Sequence, residues 1–119
     1  MAKKEIKLGF VGLGFIGTIH SIACFSMPLL FKNLPFEVKL GPVYKNNIED
    51  IPHFFEKGVK SIEEMLEDGD LDAVDICTPN YLHYEQAMKV IDGEALKLPG
   101  YLLTLRRRLD LKYTVQRAQ

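Results

Sequence analysis

Cysteine and histidine are scarce in this sequence, and no apolar run is long enough to cross a bilayer. The two cysteines, Cys24 and Cys77, stand inside apolar segments, where the ordinary reading is a buried thiol in a reducing, cytoplasmic setting. Neither is flanked by metal-ligand spacing, and His20, His53 and His83 lie far apart along the chain, so no metal site is expected. Charge of one sign is lacking too: 15 Lys and Arg against 16 Asp and Glu leave a net −1, which gives no reason to expect a nucleic-acid or membrane surface. The opening Met-Ala-Lys-Lys-Glu resembles the charged front of a signal peptide, but Gly9, Gly12, Gly14 and Gly17 break the apolar stretch behind it. A spanning helix needs about eighteen consecutive apolar residues, and none exists here. There is no internal repeat and no low-complexity tract.

The 119 residues have room for one domain, because a chain of this size buries roughly two-thirds of its unfolded surface. Ile6–Val11 reads as a strand buried on both faces, as in a parallel sheet. A glycine turn follows, then a long apolar helix from Phe15 to about Asn33, which Pro28 is expected to end near Met27 or to kink. Phe36–Tyr44 is a second strand, in which Gly41-Pro42 predicts a bulge or an early end. Ile48–Lys57 reads as a short helix closed by Gly58, and Val59-Lys60 as a brief third strand. Ser61-Ile62-Glu63-Glu64 has capping-box spacing and opens a helix ending around Asp68-Gly69-Asp70. Ala73–Cys77 is a fourth strand, and Tyr81–Asp92 a helix stopped by Gly93. The alternation argues for an α/β fold with a right-handed, doubly wound parallel sheet.

Gly12-Leu13-Gly14-Phe15-Ile16-Gly17 matches G-x-G-x-x-G between a strand and a helix. In that setting the first glycine permits the tight turn, the second lets a pyrophosphate approach the backbone, and the third lets helix and strand pack closely. Free amides and the helix dipole then favour negative charge. Glycine-rich turns also arise for purely structural reasons. A Walker-type loop is excluded, since no Gly-Lys-Ser/Thr follows, and an S-adenosylmethionine site would want an acidic residue ending the second strand. None is present. The same absence bears on a dinucleotide: an acidic residue there would bond the ribose of NAD, and a basic one would receive the extra phosphate of NADP. The chain offers Val43-Tyr44-Lys45-Asn46-Asn47, so Tyr44 is a candidate to stack on adenine and Lys45 to meet the phosphate. The expected cofactor is therefore NADP or NAD, with NADP slightly favoured. A solvated loop lysine is the competing reading.

Asp75-Ile76-Cys77-Thr78-Pro79-Asn80-Tyr81-Leu82-His83 is more discriminating. A strand ends at Cys77, Thr78-Pro79 turns the chain, and Asn80 suits the N-cap of the next helix. Ligands of open α/β sheets bind outside the carboxyl ends of the strands, so Thr78, Asn80 and His83 are expected to project toward a cofactor. On structural grounds alone, Asn80 is a cap and His83 a residue of the helix surface.

Together, Val11–Gly17 with His20 and Asp75–Asn80 with His83 resemble the two motifs of the Gfo/Idh/MocA family, the group of glucose–fructose oxidoreductase and inositol dehydrogenase. The resemblance covers about residues 5–93. It implies a Rossmann-type domain holding NAD(P), with the backbone of Phe15 and Ile16 at the pyrophosphate and Thr78, Pro79, Asn80 and His83 near the nicotinamide ribose. It further implies oxidoreductase ancestry with sugar- or polyol-like substrates.

Past residue 93 the pattern departs from the family. Residues 1–93 hold nine Lys/Arg against fourteen Asp/Glu, whereas residues 94–119 hold six against two, including Arg106-Arg107-Arg108. Leu102, Leu103, Leu105, Leu109 and Tyr113 partly fit an amphipathic helix. Where the family continues into Glu-Lys-Pro and a second α/β domain that handles the substrate, this sequence reads Glu94-Ala95-Leu96-Lys97-Leu98-Pro99-Gly100. Residues 1–93 are thus expected to form the nucleotide-binding domain and 94–119 a basic helical tail. Hydride transfer requires a group for the substrate proton, and the sequence offers no catalytic residue for it. The expectation is a truncated Rossmann-type domain that binds dinucleotide without turnover. Its alternative is a stand-alone accessory or sensor module, and an exposed sheet edge or the tail could pair it into a homodimer.

Overall fold

The structure is a computed structural model that describes residues 4–67, 69 and 71–95. It divides into two units, one ending at Thr78 and the other beginning at Pro79, and each is described by itself. The basic tail expected at 94–119 lies, apart from the end of one helix, outside the described residues.

The first unit carries β1 (Lys4–Val11), α1 (Phe15–Leu30), β2 (Phe36–Tyr44), β3 (Lys57–Val59), α2 (Ile62–Leu66) and β4 (Ala73–Ile76). The strands form one four-stranded sheet in the order β3-β2-β1-β4, and every neighbouring pair is parallel. This is the Rossmann-like order, in which the chain winds outward from β1 and then returns to its other side. The doubly wound sheet read from the alternation of elements is present.

Opposite faces of β1 meet different partners, because successive side chains of a strand point to opposite sides. On one face Phe10 is fully buried and meets Phe55 edge-to-face at a centroid distance of 5.4 Å. Leu40 and Val43 join that cluster, with Cys24 of α1 packed against it. On the other face Gly9 lies beneath Met65 of α2, whose sulfur would stand 2.9 Å from a Cβ added there. Lys7, an apparent flaw in an apolar strand, is buried because its ammonium pairs with Glu56 at 2.9 Å.

The bulge expected at Gly41-Pro42 is there. Leu8 faces Leu40 and Phe10 faces Val43, so one extra residue is accommodated on β2. The strand does not end early, and Pro42 is buried beside β3.

Several element boundaries need correction. The helix expected over 48–57 is absent, and the segment is a series of turns. Local bonds replace helical ones: the Asn47 side chain accepts from the Glu49 amide, and the Pro52 carbonyl accepts from the Phe55 amide. The Glu56 amide is taken by the carbonyls of Leu40 and Gly41. Gly58 consequently lies in β3, and no helix end falls there. Pro28 sits inside α1, which continues to Leu30 and stops short of Asn33. In the last turn the missing amide of a proline removes only one bond. The helix begun at Ser61 ends at Leu66, earlier than expected.

The second unit is described through α3 (Asn80–Ala95). Gly93 does not stop it. Its first helical residue is Asn80 itself, which moves Asn80 off the N-cap position; the Pro79 carbonyl accepts from the Leu82 amide.

Candidate functional site

The glycine turn sits where the winding of the sheet reverses, at the carboxyl ends of β1 and β4. Two backbone bonds fix it. The Gly12 amide donates to the Tyr44 carbonyl at 2.8 Å, and the Cys77 amide donates to the Val11 carbonyl at 2.8 Å. The turn is therefore tied to β2 on one side and to the end of β4 on the other.

The three glycines differ in what a side chain would meet. Gly12 has φ +93°, and a Cβ there would stand 2.8 Å from the Thr78 methyl group. Only glycine adopts that conformation without strain. A Cβ on Gly17 would stand 2.6 Å from the Gly12 carbonyl oxygen and 3.3 Å from Cys77 Cβ, so this glycine lets α1 pack onto the turn. At Gly14 an added Cβ meets nothing within 4 Å. Packing among the described residues does not explain that glycine.

α1 leaves this turn with Gly14 at its N-cap position, no side chain capping it and no acidic residue in its first turn. The first helical bond is the one from the Thr18 amide to the Gly14 carbonyl, at 2.9 Å. The amides ahead of it, of Phe15, Ile16 and Gly17, have no intrahelical acceptor available to them. Amides grouped at a helix start, at the positive end of its dipole, form an anion site. The flanking side chains Phe15 and Ile16 are 78% and 50% exposed, which leaves the approach open.

The structure brings Gly12, Gly14, Phe15, Ile16, Gly17, Tyr44 and Thr78 to one edge of the sheet. Tyr44 closes β2 opposite Val11, and Thr78 lies against Gly12. Lys45 follows immediately, its ammonium donating to the Asp50 carbonyl at 2.9 Å. Pro79, Asn80 and His83 belong to the second unit, where Asn80 and His83 stand three residues apart on the opening turn of α3. The edge can hold a diphosphate on backbone amides with an adenosine-like group toward the end of β2. The residues fit a dinucleotide in that sense: glycine opens the cradle, and the first turn of α1 carries no acidic residue of its own.

Sequence reasoning missed a cluster behind the turn. His20 Nδ1 lies 2.8 Å from Asp75 Oδ2, and Cys77 Sγ lies 3.1 Å from Asp75 Oδ1 and 3.5 Å from His20 Nδ1. The expectation of no metal-ligand grouping rested on separation along the chain. The available signal was Asp75-x-Cys77, since residues two apart on a strand share a face. Burial, followed by the hydrogen bond to Asp75 and that carboxylate's charge, pushes the Cys77 thiol up to about 12. Burial also raises Cys24, with a smaller contribution from Asp75.

Comparison with known proteins agrees with this geometry. Residues 6–95 match the family model GFO_IDH_MocA, described as an oxidoreductase family with an NAD-binding Rossmann fold. The chain is 33% identical over 99 residues to levoglucosan dehydrogenase of Pseudarthrobacter phenanthrenivorans, covering 76% of this chain and 24% of that protein. Among solved structures, levoglucosan dehydrogenase in complex with NADH superposes with a TM-score of 0.67 at 29% identity, covering 76% of this chain and 26% of the other. An NAD-binding oxidoreductase from Klebsiella pneumoniae gives a TM-score of 0.65 at 28% identity, covering 75% and 25%. The chain thus spans about a quarter of the length of these relatives.

Proposed function

Since the chain belongs to the GFO_IDH_MocA oxidoreductase family over residues 6–95, we propose that it binds a nicotinamide dinucleotide at the glycine turn, as the nucleotide-binding part of a sugar- or polyol-type dehydrogenase. The observation that carries this reading is Gly14: its missing Cβ faces open space while Gly12 and Gly17 are closely packed. A diphosphate resting on the Phe15 and Ile16 amides accounts for all three. The relative solved with NADH supports the cofactor class, and the sugar named in that protein supports the substrate class.

The bound dinucleotide supplies or accepts hydride. The chain's own residues bind and orient it. The Gly12 turn fixes the strand-to-helix geometry, the first-turn amides hold the diphosphate, and Tyr44 at the end of β2 flanks adenine. Thr78, Pro79, Asn80 and His83 serve the nicotinamide ribose. Lys45 favours NADP over NAD by exchanging the exposed Asp50 carbonyl for the 2′-phosphate, an ionic partner that binds ammonium more strongly. Dehydrogenase turnover is not expected from these 119 residues, because hydride transfer also needs a group for the substrate proton and the sequence offers no candidate for it.

Calorimetric titration with NADH and NADPH tests the reading. Heat from at least one cofactor is expected, with binding lost in Gly14→Ala while the far-UV circular dichroism is unchanged. Absence of heat with both ends the proposal. Lys45→Ala is expected to weaken NADPH and spare NADH. Equal loss of both, or tighter NADH in the unaltered chain, removes the NADP preference alone.

A further inference from the structure

The His20, Asp75 and Cys77 cluster is a mixed set of donors that the dinucleotide reading does not use. Three separate features bring it together. Asp75 stands in β4 and Cys77 follows directly after its last residue, where the thiol reaches the Asp75 carboxylate at 3.1 Å. The Cys77 amide is held by the Val11 carbonyl at 2.8 Å, which fixes the end of that segment. Gly17 then lets α1 close onto Cys77, and His20, three residues further along α1, comes within reach of both. The ligand atoms of all three lie within 4.8 Å of one another.

We propose that His20 Nδ1, an Asp75 carboxylate oxygen and Cys77 Sγ form a site for a thiophilic divalent transition ion of the Zn2+ type, with water completing the coordination. Bond lengths of about 2.0–2.3 Å in a tetrahedral arrangement require ligand atoms about 3.3–3.6 Å apart. His20 Nδ1 lies 2.8 Å from Asp75 Oδ2, and Cys77 Sγ lies 3.1 Å from Asp75 Oδ1 and 3.5 Å from His20 Nδ1. With one carboxylate oxygen as the ligand all three atoms stay within 4.8 Å, and side-chain rotation brings them into that range. Thiolate and imidazole select Zn2+, Co2+ or Cu2+ over Mg2+ and Ca2+, which prefer all-oxygen sites. His20 is exposed, so the ion has a path from solvent. On binding, the sulfur–metal bond replaces the sulfur–hydrogen bond and the thiol proton passes to water. Both supporting elements belong to the frame of the fold, so the ligands are held near their places before the ion arrives.

Co2+ titration of the tag-free chain, prepared in chelator and without nucleotide, reads this directly through the near-ultraviolet charge-transfer band of a cobalt–thiolate bond. One equivalent is expected to develop the band and Zn2+ to displace it. Cys77→Ser is expected to abolish the band and Cys24→Ser to keep it. His20→Gln, at an exposed position, is expected to weaken Co2+ roughly tenfold or more with the far-UV circular dichroism unchanged, since even outer partners of a ligand cost that much. No band in the unaltered chain, a band surviving Cys77→Ser, or unchanged affinity in His20→Gln overturns the site. Because NADH calorimetry is run in chelator, failure here leaves the dinucleotide reading standing, and failure there leaves this one.

Discussion

At the scale of single residues, the chemistry is concentrated in a few groups whose surroundings differ from what their neighbours in sequence suggest. Lys7 is buried in a parallel sheet, and its stability there depends on Glu56. Lys39 reaches the same carboxylate at 3.8 Å, so Glu56→Ala removes the anion between two ammonium groups and leaves them as repelling neighbours. A loss of about 1–3 kcal/mol is expected in urea unfolding, smaller than for a fully buried pair because Glu56 is partly exposed. Cys77 makes a second prediction. Its thiol is raised to about 12 in the fold, against about 8.5 in an unfolded chain. Below about pH 8.5 both states hold the proton and stability is unaffected. Above it the unfolded chain binds fewer protons than the native one, so stability falls as pH rises toward about 12. Urea midpoints measured across this window are expected to decline less steeply in Cys77→Ala. Cys24 acts in the same direction, so some slope remains.

Among the elements, α2 shows how a short helix is secured by its ends. Ser61 Oγ accepts from the Glu64 amide at 3.0 Å, and Glu64 Oε2 accepts from the Lys60 amide at 2.7 Å. The spacing in the sequence anticipates the first of these bonds. The second reaches back one residue further than the usual box. Ile62, Met65 and Leu66 are buried while Glu63 and Glu64 face solvent, and a helix this short depends on docking its apolar side. Ser61→Ala is expected to cost about 1 kcal/mol, read as a shifted urea midpoint with unchanged slope. The segment before β3 shows the opposite balance. Pro52 in its middle already opposes a helix, Phe54 and Phe55 are drawn toward the aromatic contacts with Phe25 and Phe10, and the Glu56 amide is claimed by β2.

For the molecule as a whole, ligand binding and folding are linked. A ligand that binds only the native state at a hundred times its Kd adds about 2.7 kcal/mol of stability. Saturating NADH or NADPH is therefore expected to raise the thermal midpoint of the chain and to leave that of Gly14→Ala unmoved. Gly17→Ala is a contrasting variant: a Cβ 2.6 Å from the Gly12 carbonyl lowers the midpoint even without ligand. The contrast separates the glycine proposed to serve a cofactor from the glycine that serves the packing.

The strand-turn-helix opening, the parallel α/β class, the capping box and the bulge at Gly41-Pro42 were all legible in the sequence, because each depends on residues close together in the chain. Glycine spacing, apolar runs and a proline in a strand act through backbone dihedrals and local hydrogen bonds. The family's two motifs were legible for the same reason. The turns in place of a helix before β3, the continuation of α1 through Pro28 and of α3 through Gly93, and the meeting of His20 with Asp75 and Cys77 were left to the tertiary structure. In the first of these, bonds from β2 and the aromatic core set the path of a segment in which Pro52 already interrupts a helix. In the last, residues more than fifty positions apart become neighbours only because β4 pairs with β1 and Gly17 lets α1 close onto it.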